Sequence, residues 1–278
     1  MPTAKVNGVE LFYKESGRGP QTIIFSHGLL MDHSMFEAQR AALEKTGRYR
    51  VIAYDHRGQG QSQDPGAGYD METLSQDAAG LIQALNAIPC HFAGLSMGGF
   101  VGMRLAARRP ALLRTLTLMN TGPNREPWFN RLRYGFLAQL VRIMGTAPFT
   151  ATAVNALFGE TTRHSPERRT MVEEWTAKLR GRPRNVAHAL IGVLERRPIS
   201  PDQLRSIKCP TLVIAGEDDT SRPAEDSVRL ASFIPGARLM RIRGCGHSSS
   251  LEAPEAVTAA ILEFITTSAR RERRAVEQ

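Results

Sequence analysis

The ten residues Cys90-His91-Phe92-Ala93-Gly94-Leu95-Ser96-Met97-Gly98-Gly99 constrain the fold of this chain more than any other stretch. A short apolar run reaches a serine fenced by glycines and then resumes, with Phe100, Val101, Met103, Leu105 and Ala106 placed to line a helix. The run before Ser96 predicts a buried strand, and the run after it a helix packed back onto a sheet. Glycines two residues before and two after the serine let two backbone segments pass closely while the hydroxyl projects outward from a strained strand-to-helix turn. The helix N-terminus then faces the reacting centre, where its unpaired N–H groups and positive dipole end favour negative charge. The same pattern also occurs in ordinary turns, so the rest of the chain decides between the two readings.

On either side of this turn, strand and helix signals alternate. Residues 4–15 alternate about Asn7-Gly8, a hairpin signature, and the runs at 22–25, 51–54, 116–119, 211–215 and 238–242 read as strands. Helical spacing falls between them: Met35, Phe36, Ala38, Ala42 and Leu43, then residues 71–85, 223–234 and 254–265. The order predicts an α/β fold, a mostly parallel sheet with helices on both faces and its strand ends gathered on one edge. The alternation stops over residues 121–200, where the pattern is helical and both tryptophans fall. We therefore expect a core built from 1–120 and 201–278 with a helical cap at 121–200. Most cap aromatics are expected to fill the cap's own core. Trp128 and Phe129, just after Gly122-Pro123, are expected to face a substrate. Residues 270–278 are polar and expected to fray.

Charge narrows the class of partner. The formal net charge is +9, with 13 basic against 6 acidic residues over 121–200 and 19 against 19 outside that segment and the last nine residues. Basic residues interleaved with stacking aromatics, as nucleic-acid binding needs, are missing from this pattern. The cationic cap reads as a solvated face, or as a funnel in which Arg125, Arg131 and Arg133 draw an anionic substrate to the site. No apolar run approaches the roughly 18 residues of a membrane span, and the first residues are not signal-like. Cys90, Cys209 and Cys245 are odd in number and far apart, which fits a reducing compartment, so a cytoplasmic location is expected. Nothing in the pattern specifies an oligomeric state.

Three strand ends offer complementary groups: Ser96, an aspartate at 218 or 219, and His247. A serine hydroxyl needs a base with a pKa near neutral, and the histidine needs a carboxylate to fix its tautomer. The residues themselves do not separate Asp218 from Asp219. His27, His33 and His56 lack ligand spacing and read as structural, Asp55, Arg57 and Gly58 as loop-holding, and Cys245 as packing.

Five segments, in order, carry a resemblance: Ser26-His27-Gly28, Asp55-x-Arg57-Gly58-x-Gly60-x-Ser62, Gly94-Leu95-Ser96-Met97-Gly98-Gly99, Gly216-x-x-Asp219-x-x-x-Pro223, and Gly246-His247 followed by Glu252 and Pro254. Over nearly its whole length the chain resembles the α/β-hydrolase superfamily. The resemblance implies Asp219 as the acid of a Ser96–His247–Asp219 triad, the N–H groups of Leu29 and Met97 as oxyanion donors, and no cofactor or metal. Serine at 96 sets the chain apart from the haloalkane dehalogenases and epoxide hydrolases, which carry aspartate there. The segment 94–121 is most similar to 3-oxoadipate enol-lactonases and small bacterial esterases, implying a small carboxylic ester or lactone as substrate. Hydrolysis of a C–C bond, perhydrolysis of the cofactor-free haloperoxidase type, and a receptor with slow turnover are the alternatives.

Overall fold

The computed structural model describes residues 2–276, with side chains through residue 270. The hairpin forms from β1 (Thr3–Val6) and β2 (Val9–Ser16), with Asn7 and Gly8 both at positive φ, the hand that a two-residue connection between twisted strands requires. Six more strands complete one sheet: β3 (Gln21–Ser26), β4 (Tyr49–Tyr54), β5 (Cys90–Leu95), β6 (Leu113–Met119), β7 (Thr211–Gly216) and β8 (Arg238–Ile242). Their order is β1-β2-β4-β3-β5-β6-β7-β8; β2 joins β4 antiparallel, and β3 to β8 pair in parallel. The interior strands β5 and β7 are buried at every position, as expected of parallel strands covered on both faces. The edge strand β8 instead exposes Arg238 and Arg241, charges that discourage further strand pairing.

Helices cover both faces. On one side, α1 (Glu37–Lys45) and α12 (Pro254–Val276) bury Leu43, Val257, Ile261 and Phe264 with Phe25, Val51 and Ile214 of the sheet. On the other, α2 (Met71–Ala84), α3 (Met97–Arg108), α9 (Pro201–Arg205) and α10 (Ala224–Phe233) bury Leu74, Val101, Leu204 and Leu230 against Ile24, Phe92 and Val213. Asp70 starts α2 by accepting from the N–H groups of Glu72 and Thr73. The final helix does not end at residue 265. It runs to Val276, because residues 269–276 are strong helix formers with neither glycine nor proline; residues 277–278 lie outside the described residues.

Between β6 and β7 the described residues form helices and no strand: α4 (Trp128–Met144), α5 (Thr150–Leu157), α6 (Glu160–His164), α7 (Arg169–Arg180) and α8 (Val186–Leu194). This cap has little core of its own. Ala138, Val141, Val186 and Ala187 are buried where α4 meets α8, while Leu157, Trp175 and Leu179 join the larger cluster on the α1 side of the sheet. The expectation that most cap aromatics fill the cap's own core is therefore corrected at Phe136. Small residues make the α4–α8 contact, and Phe136 points to solvent together with Trp128, Phe129 and Leu132.

Candidate active site

Parallel pairing brings the ends of β3, β5, β6, β7 and β8 to one edge, and each end contributes to the site. Ser96 follows β5 at φ 52° and ψ −108°, a strained conformation for a non-glycine residue that aims its side chain away from the sheet. The flanking glycines are obligatory for steric reasons. A Cβ on Gly94 would lie 2.2 Å from the carbonyl oxygen of Gly98, and a Cβ on Gly98 would lie 2.0 Å from that of Ser26. The Ser96 N–H donates to Met119 O at 2.8 Å, and Thr121 Oγ1 donates to Ser96 O at 3.0 Å, so both neighbours of the turn are pinned to the end of β6.

His247, in the loop after β8, has its Nδ1 2.8 Å from Asp219 Oδ2. Because the carboxylate can only accept, Nδ1 carries the hydrogen and Nε2 is left for the cavity that Ser96 also lines. Asp219 is held in turn: Oδ1 accepts from the N–H groups of Ser221 (2.9 Å) and Arg222 (2.8 Å), and Oδ2 from Asn120 Nδ2 (3.0 Å). Asp218 points elsewhere, accepting from Thr161 Oγ1 at 2.5 Å. Two adjacent aspartates that the sequence left equivalent thus have different partners, and only Asp219 reaches the imidazole.

The turn after β3 supplies the opposite wall. His27 Nδ1–H donates to Gly28 O at 2.7 Å, and His27 Nε2 accepts from the His56 N–H at 2.9 Å. Burial holds both imidazoles below the ordinary histidine range, so both are neutral. The Leu30 N–H is taken by Gln59 Oε1 at 3.0 Å and the Met31 N–H by Gly28 O at 3.2 Å. Among the described residues the N–H groups of Leu29 and Met97 have no acceptor, and Met97 stands at the first position of α3.

Three residues near the site had no role assigned from sequence. Glu252, at the end of α11 (Ser249–Glu252), accepts from the N–H groups on both sides of His247: Gly246 and Gly159 at Oε2 (2.9 and 2.8 Å), and Ser248 at Oε1 (2.8 Å). Asn120, at positive φ, joins Asp219 to Gly246 O. Gln59 sets the register of the Leu29-Leu30 turn and brings Nε2 within 3.8 Å of Met97 Sδ. Glu252 was visible in sequence only as a fixed distance after His247. Asn120 and Gln59 had no signal beyond being amides at strand or loop ends.

Ser96 and His247 line a cavity of about 210 Å³ whose other walls come largely from the cap: Leu137, Val141, Leu157, Leu190 and Leu194, with Leu29 beneath. Its other charged groups, Glu126 and Arg222, are paired with each other, and Arg196 also reaches Glu126. Burial opposes ionisation of Glu126, yet Arg222 and Arg196 hold its carboxyl below the ordinary range. One expectation is corrected here: Trp128 and Phe129 do not line this cavity, because the outward turn of α4 at its start exposes both. Arg125, Arg131 and Arg133 lie outside its lining. A larger surface cavity of about 680 Å³, lined by Tyr69, Arg104 and His188 among others, shares no residue with it. Asp32, His33 and Asp55 converge as well, but their atoms are engaged: Asp55 accepts from the His33 and Gln61 N–H groups, and Asp32 from Arg182. Cys245 is buried, which raises its thiol pKa and keeps it in the protonated, weakly nucleophilic form.

The eight-stranded sheet and the serine turn at the end of β5 define a class, and the family model described as alpha/beta hydrolase fold matches residues 21–254. The chain belongs to the α/β-hydrolase fold family. Relatives include 3-oxoadipate enol-lactonase 2 from Acinetobacter baylyi, 30% identical over 93% of this chain and 94% of that one. A relative from Caulobacter sp., provisionally named carbamate hydrolase RutD, is 32% identical over 96% of this chain and 98% of its own. The solved structure of a thermophilic esterase from Thermogutta terrifontis superposes with a TM-score of 0.87 at 32% identity, covering 96% of this chain and 99% of that one.

Proposed function

We propose that the protein hydrolyses carboxylic esters or lactones with an apolar acyl part through an acyl-serine intermediate. The 2.8 Å bond from His247 Nδ1 to Asp219, beside a cavity that His247 shares with Ser96, carries this reading. Ser96 Oγ attacks the carbonyl carbon while His247 Nε2 takes its proton, and the carbonyl oxygen gains charge within reach of the Leu29 and Met97 N–H groups. His247 then returns the proton to the leaving alcohol. Water, deprotonated by the same nitrogen, releases the acid. Asp219 orients His247 and stabilises the imidazolium. The apolar walls and the internal pairing of Glu126 with Arg222 favour an uncharged acyl group over an anionic one.

A panel of p-nitrophenyl esters of graded acyl length, with Ser96→Ala as the blank, tests this. The expected result is a kcat/KM that rises with acyl length until the cavity is filled, and a loss on the order of 10⁴-fold or more in the variant. Full activity in Ser96→Ala would remove the reading. Carbamate hydrolysis is the second reading, supported by the relatives that carry that name, and a carbamate turned over faster than every ester in the panel would replace the first.

A further inference from the structure

Helix α4 has two apolar sides. The inner one gives Tyr134, Leu137 and Val141 to the Ser96 cavity. The outer one exposes Trp128, Phe129, Leu132, Phe136 and Ile143 by 72, 56, 67, 67 and 69%. At 100° per residue these five fall within one sector of about 100°, so they form a stripe along the 17-residue helix, broken once by the exposed Gln139 that bonds Arg142. A contiguous exposed apolar stripe marks an interaction surface.

The charges beside the stripe select its partner. From Pro127 to Gly159 the sequence has no aspartate or glutamate, whereas exposed Arg133 and Arg142 flank the stripe and exposed Arg125 precedes it; against these stands the exposed Glu195 of the facing segment, beside Trp128 and Arg131. The one acid just before the helix, Glu126, is consumed by Arg222 and Arg196. A second copy docked stripe to stripe would set arginine against arginine, a costly arrangement. An anionic apolar surface complements both features at once. A groove of about 360 Å³ between α4 and α8 lies against the cavity that holds Ser96: Trp128 and Leu132 line it with Arg131, Ile191 and Glu195, and the buried Leu194 is the wall between the two.

We propose that the outer face of α4 lies flat on an anionic lipid surface, and that apolar esters dissolved there reach Ser96 past Leu194. The docking stands without the proposed ester chemistry; the access route rests on it. No described helix is long and apolar enough to cross a membrane, so the contact is interfacial.

Flotation of the full chain carrying Ser96→Ala, which removes turnover from the readout, tests the docking. Vesicles of equal phosphatidylglycerol and phosphatidylcholine are expected to carry the protein, and pure phosphatidylcholine to bind it more weakly by on the order of a hundredfold, about fivefold for each of three arginines. The triple variant Leu132→Gln/Phe136→Gln/Ile143→Gln, checked for an unchanged circular-dichroism melt, is expected to lose at least about tenfold of the binding. Should it not fold, Arg133→Gln/Arg142→Gln is expected to bring binding to anionic vesicles down toward the phosphatidylcholine level. No flotation with anionic vesicles overturns the proposal, as does native binding by both variants. Sedimentation velocity showing a dimer that the triple variant dissolves would assign the stripe to a second copy instead.

Discussion

Around Ser96, Asp219 and His247 almost every side chain is fixed by the backbone of a strand end, whereas in α4 to α8 the apolar side chains are divided among a small core, a cavity and solvent. The first region tolerates little change, because its glycines meet backbone atoms and its carboxylates are saturated with N–H donors. The second is loosely specified and supplies most walls of the cavity beside the serine. Several contacts tie them together: Arg222, whose N–H holds Asp219, pairs its side chain with Glu126 of the cap approach, Ser221 Oγ donates to Ala156 O in α5, and the Gly159 N–H donates to Glu252. The difference teaches that, on the proposed function, chemistry and selectivity would be separable, and it can be broken or sharpened by substitution in either region.

The largest effect is expected at the strand ends. His247→Ala should lower kcat on the order of 10⁴-fold with little change in KM, measured by steady-state kinetics on the best ester of the panel. A loss of less than about tenfold would show that the edge is not where catalysis resides.

Stability against acid should also be a property of the core. Burial lowers His91, on the strand that presents Ser96, to about 4, and lowers His27 and His56 in the same direction. These groups fold neutral, while the unfolded chain takes up their protons near pH 6.5. The contribution of His91 is therefore intact above about pH 6.5 and lost as the pH falls toward 4, on the order of 3 kcal/mol. Urea midpoints at pH 7 and pH 4.5 measure it, and His91→Asn, which retains an amide for Thr115, should flatten the dependence.

Next comes Glu252→Gln. An amide supplies one accepting oxygen where the carboxylate serves the N–H groups of Gly159, Gly246 and Ser248, so His247 loses support on one side. A fall in kcat of about thirtyfold at nearly constant KM is expected, from about 2 kcal/mol for a charge-assisted hydrogen bond. A change confined to melting temperature would reduce Glu252 to a structural role. In the cap, Leu190→Ala enlarges the cavity and should move the acyl-length optimum upward, altering the preference between neighbouring lengths by about tenfold. Phe129→Ala, on the outer face, should leave kcat/KM for a short soluble ester within about twofold.

The contrast also explains what could be read before the structure was known. The fold and the Ser96 turn were legible because steric rules admit few residues there: glycines at 94 and 98, apolar runs of strand length, and a break at residues 121–200 where the alternation stopped. Which aspartate reaches His247 was legible only through the resemblance, which implied Asp219; the residues themselves did not separate the pair, since Asp218 and Asp219 differ only in the direction the loop gives them. The roles of Asn120, Gln59 and Glu252 were hidden because each acts on backbone N–H or C=O groups that come together only in the fold. The α4 aromatics were misplaced for a related reason. Helical spacing shows that a face is apolar, and cannot say whether core, cavity or solvent meets it.

The central claim, that Ser96 is the nucleophile at this edge, is tested most directly by reaction with diethyl p-nitrophenyl phosphate followed by peptide mass spectrometry. One diethylphosphoryl group on Ser96 in the native protein, slowed by orders of magnitude in His247→Ala and missing in Ser96→Ala, is the predicted result. Stoichiometric labelling of another residue, or ester turnover that persists after Ser96 is fully modified, would contradict it.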